Sequence, residues 1–301
     1  FICVDDLGRN IQSVLSGHQG GANDFSLKVA QLLGGEAIIS TSSDVQELWP
    51  LDTLGTQFDW QTVSSTSLKE SMALFVNNKP TALLLDIKNP GTAHLEKTLP
   101  DFVTVFYDEQ QIDYTSFALL IAVTYQIYPS HIPTVTFIPK VIAIGSGCSK
   151  TLEPELFEAT LKMKIQEEGI YFSAIKSLGS IVIKAQQSAY TAFSSKNDLP
   201  FKTFSSEEIA TVEVPNPSVV VQEKIGVDGV SESTAMLLSG NNRLLVEKQK
   251  VILDNNEKFT FAAALDSKAE LRAQIAIIGA GPGDEELITI KGKRYLEEAD
   301  C

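Results

Sequence analysis

A histidine set among glycines is the first feature of this chain that can do chemistry. The run Leu15-Ser16-Gly17-His18-Gln19-Gly20-Gly21-Ala22-Asn23 separates an apolar strand pattern from an apolar helix pattern. Glycine lets a backbone approach a ligand closely and take positive φ. A helix start directs N–H groups and a positive partial charge toward such a loop, which suits a carboxylate or a phosphate. His18 adds a group that moves protons near neutral pH. Ser16 and Asn23 add neutral hydrogen-bonding groups. The plainer reading is a tight turn with Asn23 or Asp24 as the helix cap.

A second glycine turn, Gly145-Ser146-Gly147-Cys148-Ser149-Lys150, follows the strand pattern Val141-Ile142-Ala143-Ile144. Cys148 reads either as a nucleophile whose thiolate is favoured by the next helix or as a small buried residue. Lys184 ends a second apolar run and reads as a point charge for carboxylates or as a solvated strand end. A third turn, Gly279-Ala280-Gly281-Pro282-Gly283-Asp284, follows Ala276-Ile277-Ile278. It is neither a dinucleotide fingerprint nor a phosphate-binding loop, since Pro282 intrudes and the lysine is missing.

The elements that position these turns alternate between strand and helix. Residues 1–48 read as a strand, a turn, a second strand, the glycine loop, a helix and a returning strand. The helical stripe is Phe25, Val29, Ala30, Leu32 and Leu33, and Gly34-Gly35 stops it. Residues 49–138 are broken by prolines, with strands expected at 82–85 and 102–106 and a helix at 67–77. Residues 139–266 suit another α/β domain. Its helices are expected at 156–168, 185–193 and 231–238, and its strands at 141–144, 181–184, 218–222, 244–249 and 259–264. Residues 266–270 read as a polar linker, and 267–301 as that linker followed by one strand, turn and helix. The expected class is therefore α/β, with two or three small domains built on parallel or mixed sheets.

Of 301 residues, 44% are hydrophobic, enough for packed cores. The net charge of −14 argues against a grip on nucleic-acid phosphates and against an anionic membrane surface. Cys3, Cys148 and Cys301 form no C-x-x-C pair, which excludes a cysteine zinc site and a disulfide framework and suits the cytoplasm. The apolar run 117–123 is too short to span a membrane. His94 and His131 read as surface or loop residues. The chain starts at Phe1 inside a strand pattern and stops at Cys301 after a helix pattern, and is expected to be a fragment.

The first motif, preceded by Asp5-Asp6-Leu7-Gly8 and followed by Ile39-Ser40-Thr41-Ser42-Ser43-Asp44, resembles the signature of the CbiG family. The 145–148 turn, Ser180 with Lys184, the Val230-Ser231-Glu232 run and Lys248 resemble that family's C-terminal domain. Val182 and Gln187 depart from it, standing where Asp and Glu are expected. The third motif, with Leu287-Ile288-Thr289-Ile290-Lys291-Gly292, resembles the start of the tetrapyrrole methylases. Within them it resembles the precorrin-4 enzyme acting at ring carbon 11, or else the one acting at ring carbon 17.

These resemblances imply a hydrolase of cobalt-precorrin-5A in corrin synthesis, fused to the start of a methylase. The hydrolase would open a δ-lactone with water and release acetaldehyde. They imply His18 as the catalytic proton-transfer group and Ser16, Gly17, Gly20, Gly21, Ala22, Asn23, Gly145, Gly147 and Lys184 as substrate-binding residues. Gly279, Gly281, Pro282, Gly283 and Asp284 would form the methylase loop. S-adenosylmethionine would serve the methylase of the parent protein only. The hydrolase needs no cofactor or protein metal, because cobalt comes inside the substrate. Other corrin-pathway enzymes are the expected partners. A non-catalytic tetrapyrrole-binding module and an unrelated nucleotide-using enzyme are the alternatives.

Overall fold

The computed structural model describes residues 1–15, 17, 20–39, 46–148, 151–218, 221–223, 226–253 and 255–271. The expected methylase strand, turn and helix lie outside them.

The first sheet has β1 (Ile2–Val4), β2 (Asn10–Ser13) and β3 (Glu36–Ile38), in that order. β1 runs antiparallel to β2, and β2 parallel to β3, with helix α1 (Ala22–Leu33) crossing between the parallel pair. The β1–β2 turn is tied by Asp5, whose Oδ1 accepts from Arg9 N at 2.7 Å and whose Oδ2 accepts from Asn10 N at 3.1 Å. Gly34 ends α1 at φ 69°, as expected. The buried face differs from the expected stripe. It carries Ala22, Asn23, Ser26 and Ala30, while Phe25, Leu32 and Leu33 are exposed. Small side chains fill the buried face, and these large apolar ones are each more than half exposed.

The central sheet has β4 (Gln61–Ser64), β5 (Thr81–Leu85), β6 (Val103–Phe106), β7 (Leu119–Val123) and β8 (Thr134–Ile138). Its order is β4-β8-β7-β5-β6; the last four are parallel and β4 is an antiparallel edge. Every residue of β5 and β7 is buried, as apolar strands covered on both faces must be. Helix α2 (Leu68–Val76) follows β4, and helix α3 (Pro90–Lys97) follows β5. Pro90, one of the prolines read as breaks, starts α3. It sits in the first turn, where no N–H is needed, and Asn89 and Thr92 form a capping box.

The third sheet has β9 (Ile142–Cys148), β10 (Ile175–Ile181), β11 (Phe201–Phe204), β12 (Val246–Ile252) and β13 (Lys258–Leu265). Its order is β11-β10-β9-β13-β12, with β9, β10 and β11 parallel and β13 antiparallel to both β9 and β12. Its helices are α4 (Pro154–Glu167), α5 (Ser188–Lys196) and α6 (Ser231–Ser239). On one face Phe157 of α4 meets Tyr190 and Phe193 of α5 and Phe259 of β13. On the other face α6 lies against Gly145 and Gly179.

Three expectations here change. The strand expected at 181–184 ends at Ile181, where pairing with β11 stops, and residues 182–184 form a 3-10 turn. In place of the strand expected at 218–222, residues 221–223 are helical and Val221 and Gln222 both donate to Ser218 O; residues 219 and 220 lie outside the described set. The polar linker at 266–270 is docked: Asp266 N donates to Val141 O at 2.8 Å, Lys88 N donates to Ala269 O at 2.9 Å, and Ala269 is buried. The central and third sheets share one apolar cluster and are joined where Tyr171 N donates to Tyr125 O and Ile127 N to Gly169 O. No helix among the described residues is long and apolar enough to cross a membrane.

Candidate functional site

The glycine loop leads into α1 through Gly21, whose φ of 66° is the left-handed conformation that favours glycine. Gly21 occupies the N-cap position, so neither Asn23 nor Asp24 takes it. Asn23 lies one residue inside the helix, buried, and its N–H donates to Gly17 O at 3.1 Å, closing the loop. Gly20 is exposed and Ala22 buried. Ser16 and His18 lie outside the described residues. The loop thus leads into a helix N-terminus that begins on a glycine, with the helix's positive end directed toward the loop.

The third sheet brings Gly145, Gly147 and Lys184 toward one region, with different roles. The Gly145 backbone is held in the sheet between Gly179 and Ala262. A Cβ on Gly145 would stand 1.9 Å from Ser231 O and 2.5 Å from Ala235 N, so this glycine lets α6 reach the sheet. Gly179 does the same on β10, where a Cβ would meet Leu238 Cδ1 at 2.6 Å. Gly147 lies nearer the carboxyl end of β9, where a Cβ would stand 3.3 Å from the Val230 side chain. Lys184 is half-buried on the turn after β10. The start of α6 therefore lies beside Gly147, at the carboxyl ends of the parallel strands, where open α/β sheets bind ligands.

Beneath that edge is a buried polar cluster. Ser146 Oγ lies 3.0 Å from Tyr190 OH and donates to Thr260 O at 3.0 Å, and Ser180 Oγ donates to Ser146 O at 2.7 Å. Burial pushes the Tyr190 hydroxyl well above the usual phenol range. Cys148 is half-buried against the apolar core. Gln187 stands one residue before α5, buried, with its Nε2 unpartnered among the described residues. Val182 is half exposed.

Glu232, fully buried in the first turn of α6, carries more than the sequence indicated. It accepts from Asn216 Nδ2 at 2.8 Å, Asn216 N at 3.3 Å and Lys248 N at 3.1 Å, while Lys248 Nζ donates to Asn216 O. Asn216 gave no signal in the sequence. His94 is partly buried, tilted on Phe58 with ring centroids 5.5 Å apart, and His131 is exposed beside Tyr114 at 4.6 Å. A cavity of about 410 Å³ is lined by Trp60, Lys140, Phe172, Ile175, Asn197 and Leu199, and by none of the expected site residues. No group of three or more His, Cys, Asp or Glu among the described residues is placed to hold a metal.

These features define an α/β protein with glycine turns at strand ends and polar clusters behind them. Three family models match in succession: the cobalamin synthesis G N-terminal model over residues 1–44, the cobalamin biosynthesis central region over 49–139, and the cobalamin synthesis G C-terminus over 142–264. The chain is 30% identical over 254 residues to the cobalt-precorrin-5A hydrolase of Priestia megaterium, covering 83% of this chain and 68% of that protein. It is 26% identical over 243 residues to the cobalt-precorrin-5A hydrolase of Salmonella typhimurium, covering 79% of this chain and 68% of that one. A 27-residue segment, 9% of this chain and 10% of the relative, is 70% identical to the cobalt-precorrin-4 C(11)-methyltransferase of Methanocaldococcus jannaschii. The chain belongs to the CbiG family of cobalamin-synthesis proteins.

Proposed function

We propose that this protein hydrolyses cobalt-precorrin-5A, opening its δ-lactone with water and releasing the two-carbon unit as acetaldehyde. Two relatives with that name, each matched over roughly two thirds of its length, support the reading. The structural observation that carries it is the start of α1 behind the left-handed Gly21. The N–H groups of Gly20, Gly21 and Ala22 are assigned to a substrate carboxylate or a developing oxyanion. His18 is assigned proton transfer, with Ser16, Gly17 and Asn23 shaping the loop around it. Gly147, Lys184 and the start of α6 are assigned to peripheral carboxylates, and Gly145 supports them by admitting α6. Cobalt is part of the substrate.

The test is acetaldehyde release from cobalt-precorrin-5A by the full-length protein and by His18→Ala. A normal rate in the variant would remove His18 from the mechanism. No release by the wild type would refute the hydrolase reading.

A binding-only module is the second reading. It is favoured by Gln187, a buried amide where the family resemblance calls for an acid. Corrinoid binding without acetaldehyde release would establish it. We also propose that Gly279, Gly281, Pro282, Gly283 and Asp284 begin a precorrin-4-type methylase that uses S-adenosylmethionine in a longer parent protein. The short methyltransferase match supports this, and reading the parent gene downstream tests it.

A further inference from the structure

The carboxyl edge of the central sheet holds a carboxyl group that the roles above do not use. Asp86 follows β5 directly, and its N–H donates to Val123 O at 3.1 Å, at the end of β7. Its Oδ2 accepts from Tyr128 OH at 2.8 Å, from Gln126 Nε2 at 3.3 Å and from Thr124 Oγ1. Thr124 Oγ1 in turn accepts from Gln126 N at 2.8 Å. All three side-chain donors converge on one oxygen, which fixes the carboxyl group, and no described residue donates to Oδ1.

The position is specific. β5 connects toward β6, whereas β7, its other neighbour, connects toward β8. The chain thus reverses its direction of travel between β5 and β7, and such a reversal opens a crevice at the strand ends. The charged and titratable groups facing Asp86 are Asp108 from the turn after β6, and Tyr125 and Tyr128 from the segment after β7. Glu109 acts on Tyr128. None of the described ion pairs includes Asp86. Burial raises the Asp86 carboxyl above the usual carboxylate range, opposed by its three donors and assisted by Asp108. Burial, followed by the nearby Asp86 charge, pushes the Tyr125 hydroxyl up to about 12.

With acids around it, this crevice disfavours an anion, and among the described residues it has no grouped ligands for a metal. An uncharged O–H donor fits. A carboxylate anchored through one oxygen, with raised basicity and a second oxygen that takes no described donor, is the arrangement of a general base.

We propose that Asp86 is the base of a second proton-transfer site, at the carboxyl edge of the central sheet, which takes an uncharged hydroxyl group. The inference rests on the hydrolase reading, in which that hydroxyl is the alcohol uncovered by lactone opening. The Asp86 carboxylate takes the hydroxyl proton as the carbon–oxygen bond becomes the carbonyl of acetaldehyde. The bond from that carbon to the macrocycle breaks, and its electron pair stays on the macrocycle. A single proton then adds to the macrocycle carbon, either the one Asp86 holds or one from water, in which case Asp86 releases its own proton to water. No oxidant or reductant is needed.

Full-length wild type, Asp86→Asn, Asp86→Glu and Tyr128→Phe should be given cobalt-precorrin-5A. Acetaldehyde, the lactone-opened intermediate and corrinoid binding are measured across pH. For Asp86→Asn, release should fall about 100-fold or more, with binding within about twofold. The opened, two-carbon-bearing intermediate should accumulate. Asp86→Glu should restore part of the rate, and Tyr128→Phe should shift the acid limb of the pH profile. Wild-type release with an unchanged Asp86→Asn rate would overturn the inference and leave the hydrolase reading standing. So would a slow Asp86→Asn that leaves the lactone closed. If Asp86→Asn did not fold, an unshifted acid limb in Tyr128→Phe would count against the inference. No release by the wild type would remove both.

Discussion

Gly145 lies so close to Ser231 that a Cβ on the glycine would stand 1.9 Å from the serine's carbonyl oxygen. The obstacle is the backbone of α6, which cannot turn aside as a side chain can. Gly145→Ala is therefore expected to destabilise the protein by about 3 kcal/mol, at the upper end for overpacking. Gly147→Ala, where the nearest atoms are 3.3 Å away, should lose about 1 kcal/mol. Urea unfolding of both variants checks the order, and equal losses would mean that α6 yields.

Glu232→Gln tests the cluster at the start of α6. The carboxylate accepts three N–H donors, and the amide would turn an NH₂ toward at least one of them. The expected loss is about 2 kcal/mol, since bonds to a charged group are stronger than neutral ones and a buried donor is left unpaired. A shift in the urea midpoint at unchanged slope would show it.

Tyr190→Phe removes a buried hydroxyl that lies 3.0 Å from the buried Ser146 Oγ. Ser146 Oγ keeps its bond to Thr260 O, so the expected loss is about 1 kcal/mol. A loss below about 0.3 kcal/mol would mean that Tyr190 holds its place by ring packing alone.

The buried carboxyl at Asp86 gives a stability signature that is independent of activity. Its folded-state value lies above the ordinary 3.8, so the native state binds the proton more tightly than the unfolded state does. Its favourable contribution is present below 3.8 and is lost as pH rises through the raised value. Asp86→Asn should therefore be at least as thermally stable as the wild type at pH 7. The wild type should gain on it as pH falls toward 4. Melting curves of the pair across that range cancel the other titrating groups. A gap that widened in the variant's favour on acidification would reverse the sign and refute the assignment.

Lys184→Ala addresses the proposed carboxylate contact. The side chain is half-buried and makes none of the described ion pairs, so folding should be unaffected. Corrinoid affinity should fall about tenfold, equivalent to about 1.4 kcal/mol. Absorbance titration of the two proteins decides it.

Local signals are legible in the sequence wherever one residue decides the outcome. Gly34 stops α1, Gly169 follows α4 at φ 71°, and Pro154 opens α4. The signal fails where a distant partner decides. Ile181-Val182-Ile183 has strand composition, yet β10 ends at Ile181 because its pairing with Phe204 ends there. The buried face of α1 breaks the rule that large apolar residues turn inward, because small ones fill it. The packing duty of Gly145 depends on Ser231, 86 positions later (231 − 145), and spacing carries no trace of it. Asp86 is silent in the sequence for the same reason: its donors Thr124, Gln126 and Tyr128 come from the end of another strand. The glycine turns are visible because glycine marks its backbone need in one letter.

The seam between α6 and the third sheet also sets how this sequence is free to drift. At Gly179 the obstacle is the tip of Leu238, 2.6 Å from a Cβ. A lineage could therefore replace that glycine by alanine if Leu238 shortened in step, and the two positions should co-vary among relatives. At Gly145 the obstacle is main chain, which no partner substitution removes. The two glycines share one helix but have opposite histories open to them: Gly179 can change in company, and Gly145 has to stay.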